Sequence, residues 1–450
     1  MATLSRSVVL FLILVLQLTL PGSSYADEIL DWNNIAIRAM QTAPGVAGYA
    51  HPRFLAIVHA AMFDAVNGIE RRYTPIHVSP NAPRGASRRA AAVQAAFTAL
   101  ILMRPVAQHA GLLAERDSSL ARIAEEEGFA DSESIARGLA WGEQVANAIW
   151  EWRKNDVIEA PPPGFLGGMN VGQWRPTPRP NPVPGGPELP GLPMGGALLG
   201  YIEPFALKDP VTGSSLALSF RPSGPPPLNS QQYADDLLEV QRIGSIGAQA
   251  AGHRTAAQTQ SARFWGGAAS SVWNRAAANA ARARDTTLSQ NARLFALLNA
   301  SAADAIMVGW ESKRFFELWR PITAIRLADT DGNSLTIADS TWTPLLTTPP
   351  YSDYLSGNQS IGGASCAVLK AFFGNDTAVE TFSEGLPGVV LWWPNFDAAA
   401  DDGLMARIYG GIHFRTAMAD TRATGEKIAR YVMEHSAQPL QGQQTGHTSK

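Results

Sequence analysis

Cysteine is almost missing from this chain: Cys366 is the only one in 450 residues. No intramolecular disulfide can form, which excludes a stapled scaffold and leaves stability to a buried core. Cys366 sits among small apolar residues and reads as a buried hydrophobe rather than a nucleophile. Charge is sparse too. Only 17% of residues are charged, the formal net charge is −3, and no long run of one sign occurs. That excludes a nucleic-acid-binding surface and a polybasic membrane patch. Alternating β-branched runs are scarce, and there is no Walker loop, no HExxH and no Cys/His cluster with zinc spacing. Asp329-Thr330-Asp331-Gly332-Asn333 begins like a calcium loop, but its spacing fails after the first half. It reads as a turn held by Asp and Asn side chains.

What is present is apolar and helical. A hydrophobic content of 46% over this length can bury a large core in two or three structural units. At the N-terminus, Arg6, the apolar run Val8 to Leu16 and Ser24-Tyr25-Ala26 predict a signal peptide over residues 1–26, with a retained anchor as the alternative. The run is short for a membrane span and no second apolar run of that kind follows, so an exported protein, periplasmic or secreted and free of the membrane once the signal is removed, is expected.

Apolar spacing of three to four predicts an all-α protein: helices over Pro52–Ile69, stopped by Asn67-Gly68, and over about 86–103, 106–126 and 132–153. Residues 27–155 form an N-terminal helical region. Residues 156–228 interrupt it with prolines and glycines that no long helix can cross. This stretch also carries Phe165, Trp174, Tyr201, Phe205 and Phe220, too many aromatics for a solvated tether, so an ordered connection lying across the helices is expected. Residues 229–450 form a C-terminal helical region. It starts from an N-cap at Asn229 or Ser230 and includes a long helix from Ser289 to Leu318 that Pro321 would stop.

Three segments of this last region carry chemistry. Lys313 and Arg320 lie seven apart, which on a continuous helix places both cations on one face, amid Trp310, Phe315, Phe316 and Trp319. Ser356-Gly357 follows Pro349-Pro350-Tyr351 and precedes a small-residue stretch, the layout of a loop feeding a helix N-terminus. There, free N–H groups, the Ser356 hydroxyl and close approach at Gly357 suit an oxyanion; an ordinary N-cap serine is the bland reading. Arg407 and His413 flank Gly410-Gly411, which permits close approach of a ligand or another helix. Asp304, nine before Lys313, is placed either to orient a site cation or to cap a buried polar contact.

In this order the segments resemble the vanadium-dependent haloperoxidases and the wider type 2 phosphatidic acid phosphatase superfamily, whose pattern is Lys-x6-Arg-Pro, Pro-Ser-Gly-His and Ser-Arg-x5-His. Lys313, Arg320, Pro321, Arg407 and His413 match, with Ala406 in place of the usual Ser. Trp310 looks like the tryptophan beside the haloperoxidase anion site, and Tyr351 like the aromatic of the Pro-Pro-aromatic turn. The segments His59 to Asn67 and Arg254 to Trp265 are similar to secreted bacterial members. The resemblance implies a helical bundle in which the helices carrying Lys313, Ser356 and His413 converge. Lys313, Arg320, Arg407, Ser356 and Gly357 would cradle vanadate or phosphate, and His413 would ligate vanadium or attack phosphorus.

The middle motif departs from that pattern: Leu355-Ser356-Gly357-Asn358 stands for Pro-Ser-Gly-His, so Asn358 replaces the acid–base histidine. Asn hydrogen-bonds but does not exchange a proton near neutrality, and losing a general acid costs roughly 10²–10⁴ in rate. Three functions stay open. The first is a haloperoxidase with vanadate as cofactor and halide and peroxide as substrates; the second is a cofactor-free acid phosphatase acting on a phosphate ester through His413. The third is a catalytically impaired oxyanion-binding protein. Of the other histidines, His253 is the first candidate to replace the lost acid, because it opens a segment similar to the family.

Overall fold

The computed structural model describes residues 27–42, 44–127 and 132–440; the expected signal peptide lies outside them. The protein is all-α. Its N-terminal part holds α1 (Glu28–Gln41), α2 (His51–Glu70), α3 (Arg88–Met103), α4 (His109–Glu127) and α5 (Ser132–Arg153). After the connection come α6 (Gln231–Ile243), α7 (Ala256–Phe264), α8 (Ala269–Ala283), α9 (Leu288–Phe316), α10 (Pro321–Arg326), α11 (Gly357–Phe373), α12 (Phe396–Tyr409) and α13 (Arg415–His435). One antiparallel hairpin, β1 (Val379–Phe382) with β2 (Val390–Trp393), intervenes, with Val379 opposite Trp393.

Helix starts follow local side-chain chemistry. Asp27, Ser87, Ser230 and Asn395 accept from free N–H groups of the first turns of α1, α3, α6 and α12. Thr255 with Gln258 and Thr287 with Gln290 form reciprocal capping boxes for α7 and α9.

The helices pack as two bundles. In the first, α2 lies on α3 and α5; in the second, α9 lies on α11 and α13; α2 and α9 pack against each other at the centre. By length and composition α9 could cross a membrane, but 94% of its most apolar stretch is buried in the protein, so it is the axis of the core. Cys366, on α11, is fully buried, as expected of a small hydrophobe.

Two helix ends differ from the sequence expectation. Asn67-Gly68 lies inside α2, which runs on to Glu70 and closes on Arg71 in the left-handed region (φ 54°). Gly68 is required for packing: a Cβ there would fall 2.4 Å from the Trp141 ring. Asn67 instead caps from within, accepting from Arg72 and Tyr73 N–H at 3.1 and 2.9 Å. Likewise α9 ends at Phe316, on left-handed Glu317 (φ 47°), before Pro321 is reached; Pro321 opens α10 at its first turn.

The connection is ordered against the helices. Asp304 on α9 accepts hydrogen bonds from three successive N–H groups, Phe205, Ala206 and Leu207, at 2.7–2.8 Å. Trp174 N–H donates to Glu317 O (2.6 Å) and Trp319 N–H to Gly172 O (2.8 Å), which ties the connection to the turn after α9. Asp329 to Asn333 is a turn: Asp331 Oδ1 accepts from Asn333 N–H at 2.7 Å.

Candidate functional site: a buried cluster of cations

Where α9 ends, the chain brings the three segments together. Lys313, in the last turn, is fully buried, and its Nζ donates to Ser352 O (2.6 Å) and Asp353 O (3.0 Å). The Trp310 and Tyr351 rings lie 5.5 and 5.1 Å from that ammonium. Burial, then the nearby Arg320 charge, push the Lys313 pKa well below its usual range, with Asp353 opposing.

Arg320 does not share a helical face with Lys313. The left-handed turn at Glu317 breaks the helix, and Arg320 is the N-cap residue of α10. Convergence therefore comes from a reversal of the chain. Arg320 is fully buried; Nε donates to Tyr351 O and Nη1 to Ile412 O, both at 2.6 Å, while Nη2 has no protein partner.

Ser356 is the N-cap residue of α11, as the loop-to-helix layout predicts. Its hydroxyl caps nothing: it is buried and unpartnered, while its N–H donates to Thr421 Oγ1 at 2.8 Å. A capping serine would spend its oxygen on the helix, so the ordinary N-cap explanation fails here. Gly357 has a packing reason beside any oxyanion: a Cβ would lie 2.7 Å from the Trp310 ring.

Arg407 lies in the last turn of α12. Its Nη1 donates to Trp265 O at 2.8 Å and its Nε is buried without a partner; burial lowers its pKa to about 10. His413 sits in the link between α12 and α13 rather than on a helix, because Gly410 closes α12 and Gly411 takes a positive φ of 75°. Gly411 presses on Gly244, where a Cβ would meet the carbonyl oxygen at 2.4 Å, so the double glycine admits another segment of the chain.

His413 Nδ1 is 2.8 Å from Asp353 Oδ1 and its Nε2 is 3.1 Å from Arg320 Nη1. Burial and the three cations hold its pKa well below the usual value, so the imidazole is neutral. With the ring proton on Nδ1, the nitrogen nearer the carboxylate, Nε2 presents its lone pair on the side of the cations.

Asp353 was not singled out by sequence reasoning. It is fully buried, lies 3.6 Å from Arg320 Nη1, and burial pushes it up to about 7 against the pull of Arg320 and Lys313. Its position three before Ser356 was the available signal. Asp304, by contrast, is not at this cluster: its carboxylate is spent on the connection. His253 is exposed, whereas His51, His59, His77, His109 and His435 are bonded or stacked elsewhere.

Asn358, on the first turn of α11, has its Nδ2 3.3 Å from Trp265 O, the carbonyl that Arg407 also uses, and its Oδ1 is buried without a partner.

The arrangement is a buried concentration of positive charge. Among the described residues, three buried cations gather with one buried carboxylate, which lies beside Arg320 and Lys313, and Arg320 Nη2, Arg407 Nε and Ser356 Oγ stand without protein partners. Unpaired buried charge of this kind costs several kcal/mol unless something anionic compensates it.

The chain is similar to known proteins in part of its sequence and in its fold. Residues 293–442 match the family described as the VCPO second helical-bundle domain. A stretch of 92 residues is 32% identical to the vanadium chloroperoxidase of Curvularia inaequalis, covering 18% of this chain and 14% of that protein. In fold, the chain is similar to a bacterial vanadium-dependent iodoperoxidase (TM-score 0.74, 22% identity, 91% of this chain and 97% of that one). It is also similar to a bacterial vanadium-dependent chloroperoxidase (TM-score 0.66, 16% identity, 86% and 91%). Over residues 293–442 the chain thus carries a helical-bundle domain of the vanadium haloperoxidase kind, and the chain spans about a seventh of the length of the curated relative it matches.

Proposed function

We propose that this chain is an exported oxyanion-binding protein of haloperoxidase type, which holds vanadate in the buried cation cluster and oxidises halide with hydrogen peroxide. The observation that carries the reading is the uncompensated charge of Lys313, Arg320 and Arg407 beside a neutral His413. Vanadate fits these residues: a tetrahedral anion would satisfy the unpartnered Arg320 Nη2, Arg407 Nε and Ser356 Oγ, and His413 Nε2, now 3.1 Å from Arg320 Nη1, is the nitrogen that would ligate it. When bound, vanadate supplies the Lewis-acid centre that activates peroxide toward halide.

The remaining work falls to the chain. Asp353 holds the His413 ring in one tautomer and orientation. Trp310, Tyr351 and Tyr49 form a contiguous aromatic wall, with centroids 4.9–6.4 Å apart, which keeps water from the Lys313 side. No described histidine stands where Asn358 does, so proton transfer at that position has no side-chain acid. That favours slow turnover with anion binding intact, and makes a phosphatase using His413 as nucleophile the second reading, restricted to esters with good leaving groups.

The test is purified protein with and without vanadate, assayed for iodide and bromide oxidation and for phenyl phosphate hydrolysis. Vanadate-dependent halide oxidation is expected, rising by roughly 10²-fold or more in Asn358→His. Phosphate ester hydrolysis that vanadate inhibits, without halide oxidation, selects the second reading. Absence of any thermal shift at millimolar vanadate sinks both. Export is tested by N-terminal sequencing of the protein recovered outside the cytoplasm.

A further inference from the structure

Among the described residues the amide of Asn358 has one partner, the carbonyl oxygen of Trp265, at 3.3 Å. A carbonyl only accepts, so the atom facing it is Nδ2, and the donor of Asn358 is spent there. Arg407 Nη1 donates to the same carbonyl at 2.8 Å, which sets the amide beside that guanidinium. Oδ1 then points away from Trp265 and is buried without a donor, as Arg320 Nη2, Arg407 Nε and Ser356 Oγ are buried without acceptors. The other buried acceptor of the cluster without a hydrogen bond, the Asp353 carboxylate, lies 2.8 Å from His413 Nδ1 and 3.6 Å from Arg320 Nη1, whereas among the described residues Asn358 Oδ1 has no donor beside it.

Resting on the oxyanion reading above, we infer that Asn358 Oδ1 accepts a hydrogen bond from a protonated oxygen of the bound anion, so that the site selects oxyanions carrying a proton over fully deprotonated ones. Phosphate and vanadate carry at least one proton near neutrality, and sulfate carries none. A sulfate oxygen facing Oδ1 sets lone pair against lone pair and leaves the buried acceptor unsatisfied, whereas a P–OH or V–OH donates to it. A side chain that donates at this position erases the distinction. Asn358 is in this respect a specificity-determining residue and not merely a lost acid.

The experiment measures binding of phosphate, vanadate and sulfate at pH 7 by calorimetry and thermal shift, in wild type, Asn358→His and Asn358→Leu. Wild type should bind phosphate and vanadate at least about tenfold more tightly than sulfate, the scale of one hydrogen bond to a charged group. In Asn358→His sulfate should gain most of that factor, a gain of binding that misfolding cannot imitate. In Asn358→Leu the three anions should converge. Equal binding of sulfate and phosphate by wild type overturns the inference while leaving the oxyanion site standing, and so does discrimination unchanged in both variants. If none of the three anions binds wild type, the oxyanion reading itself fails and this inference falls with it.

Discussion

Two buried aspartates do the same job in the two bundles, and their surroundings differ in one respect. Asp64 on α2 accepts from Ile76, His77 and Val78 N–H, each at 2.8 Å; Asp304 on α9 accepts from Phe205, Ala206 and Leu207. Each fastens a crossing strand of irregular chain to a core helix by three charge-assisted bonds. Beyond the clasp the halves part. In the first bundle buried charge is matched: Glu28, fully buried, takes a two-pronged bond from Arg89 at 2.7 and 3.0 Å, and Arg153 pairs with Asp156 at 2.5 Å. In the second, α9 continues past its clasp to Lys313; among the described residues Lys313 and Arg320 share the Asp353 carboxylate and Arg407 pairs with none. Paired charge serves the architecture, and the proposed oxyanion is what would answer the unpaired charge.

The sharpest way to break the comparison is to remove one cation from each half. Arg89→Met leaves buried Glu28 with only Arg122, 3.8 Å away and without a hydrogen bond, and should cost about 3–5 kcal/mol in denaturant unfolding. Arg407→Met removes a charge that had no partner. It should raise the stability of the anion-free protein by about 1–4 kcal/mol while abolishing the thermal shift by vanadate or phosphate. A loss of stability in Arg407→Met comparable to that in Arg89→Met would show that the site cations are structural.

The clasps should behave alike. Asp64→Ala and Asp304→Ala each strand three N–H groups and should each lose about 3–5 kcal/mol; Asp64→Ala should leave anion affinity unchanged in the protein that remains folded. Burial lifts Asp64 to about 6 from the ordinary carboxyl value of 3.8. A folded pKa raised above the unfolded one contributes stability fully present below about pH 4, which is lost as pH rises through about 6. Asp64→Asn should flatten that slope, read as urea midpoints from pH 4 to 7. A slope over this window as steep in Asp64→Asn as in wild type would falsify the assignment.

The smallest effect belongs to Ser356. Because its hydroxyl bonds to nothing in the protein, Ser356→Ala should change stability by less than about 0.5 kcal/mol and weaken anion binding by about 1.5–3 kcal/mol, measured by calorimetry. An N-cap role would give the reverse ranking.

Much of this was legible in the chain. The ordered connection followed from aromatics among prolines, and the helix over residues 132–153 came with its bounds because apolar periodicity is a local signal. Lys313, Arg320, Ser356, Arg407 and His413 were readable as a motif, and the structure brings them together. Other features were not. Asn67-Gly68 spells a stop, yet the Trp141 ring from a distant helix demands that glycine inside α2. Two cations seven apart spell one helical face, yet α9 ends between them.

The sequence by itself determined the helical class, the family pattern and the stock of chemistry, because periodicity, capping and motif spacing are written along the chain. Only the tertiary structure decided which charges go unanswered. Asp304 was near Lys313 in sequence and went to the connection, while Asp353, on another segment, went to His413. The donor of Asn358 went to a carbonyl 93 residues away. Which polar atoms remain free is set by the sum of all such pairings, and no pairing across the fold can be read from the spacing of one segment.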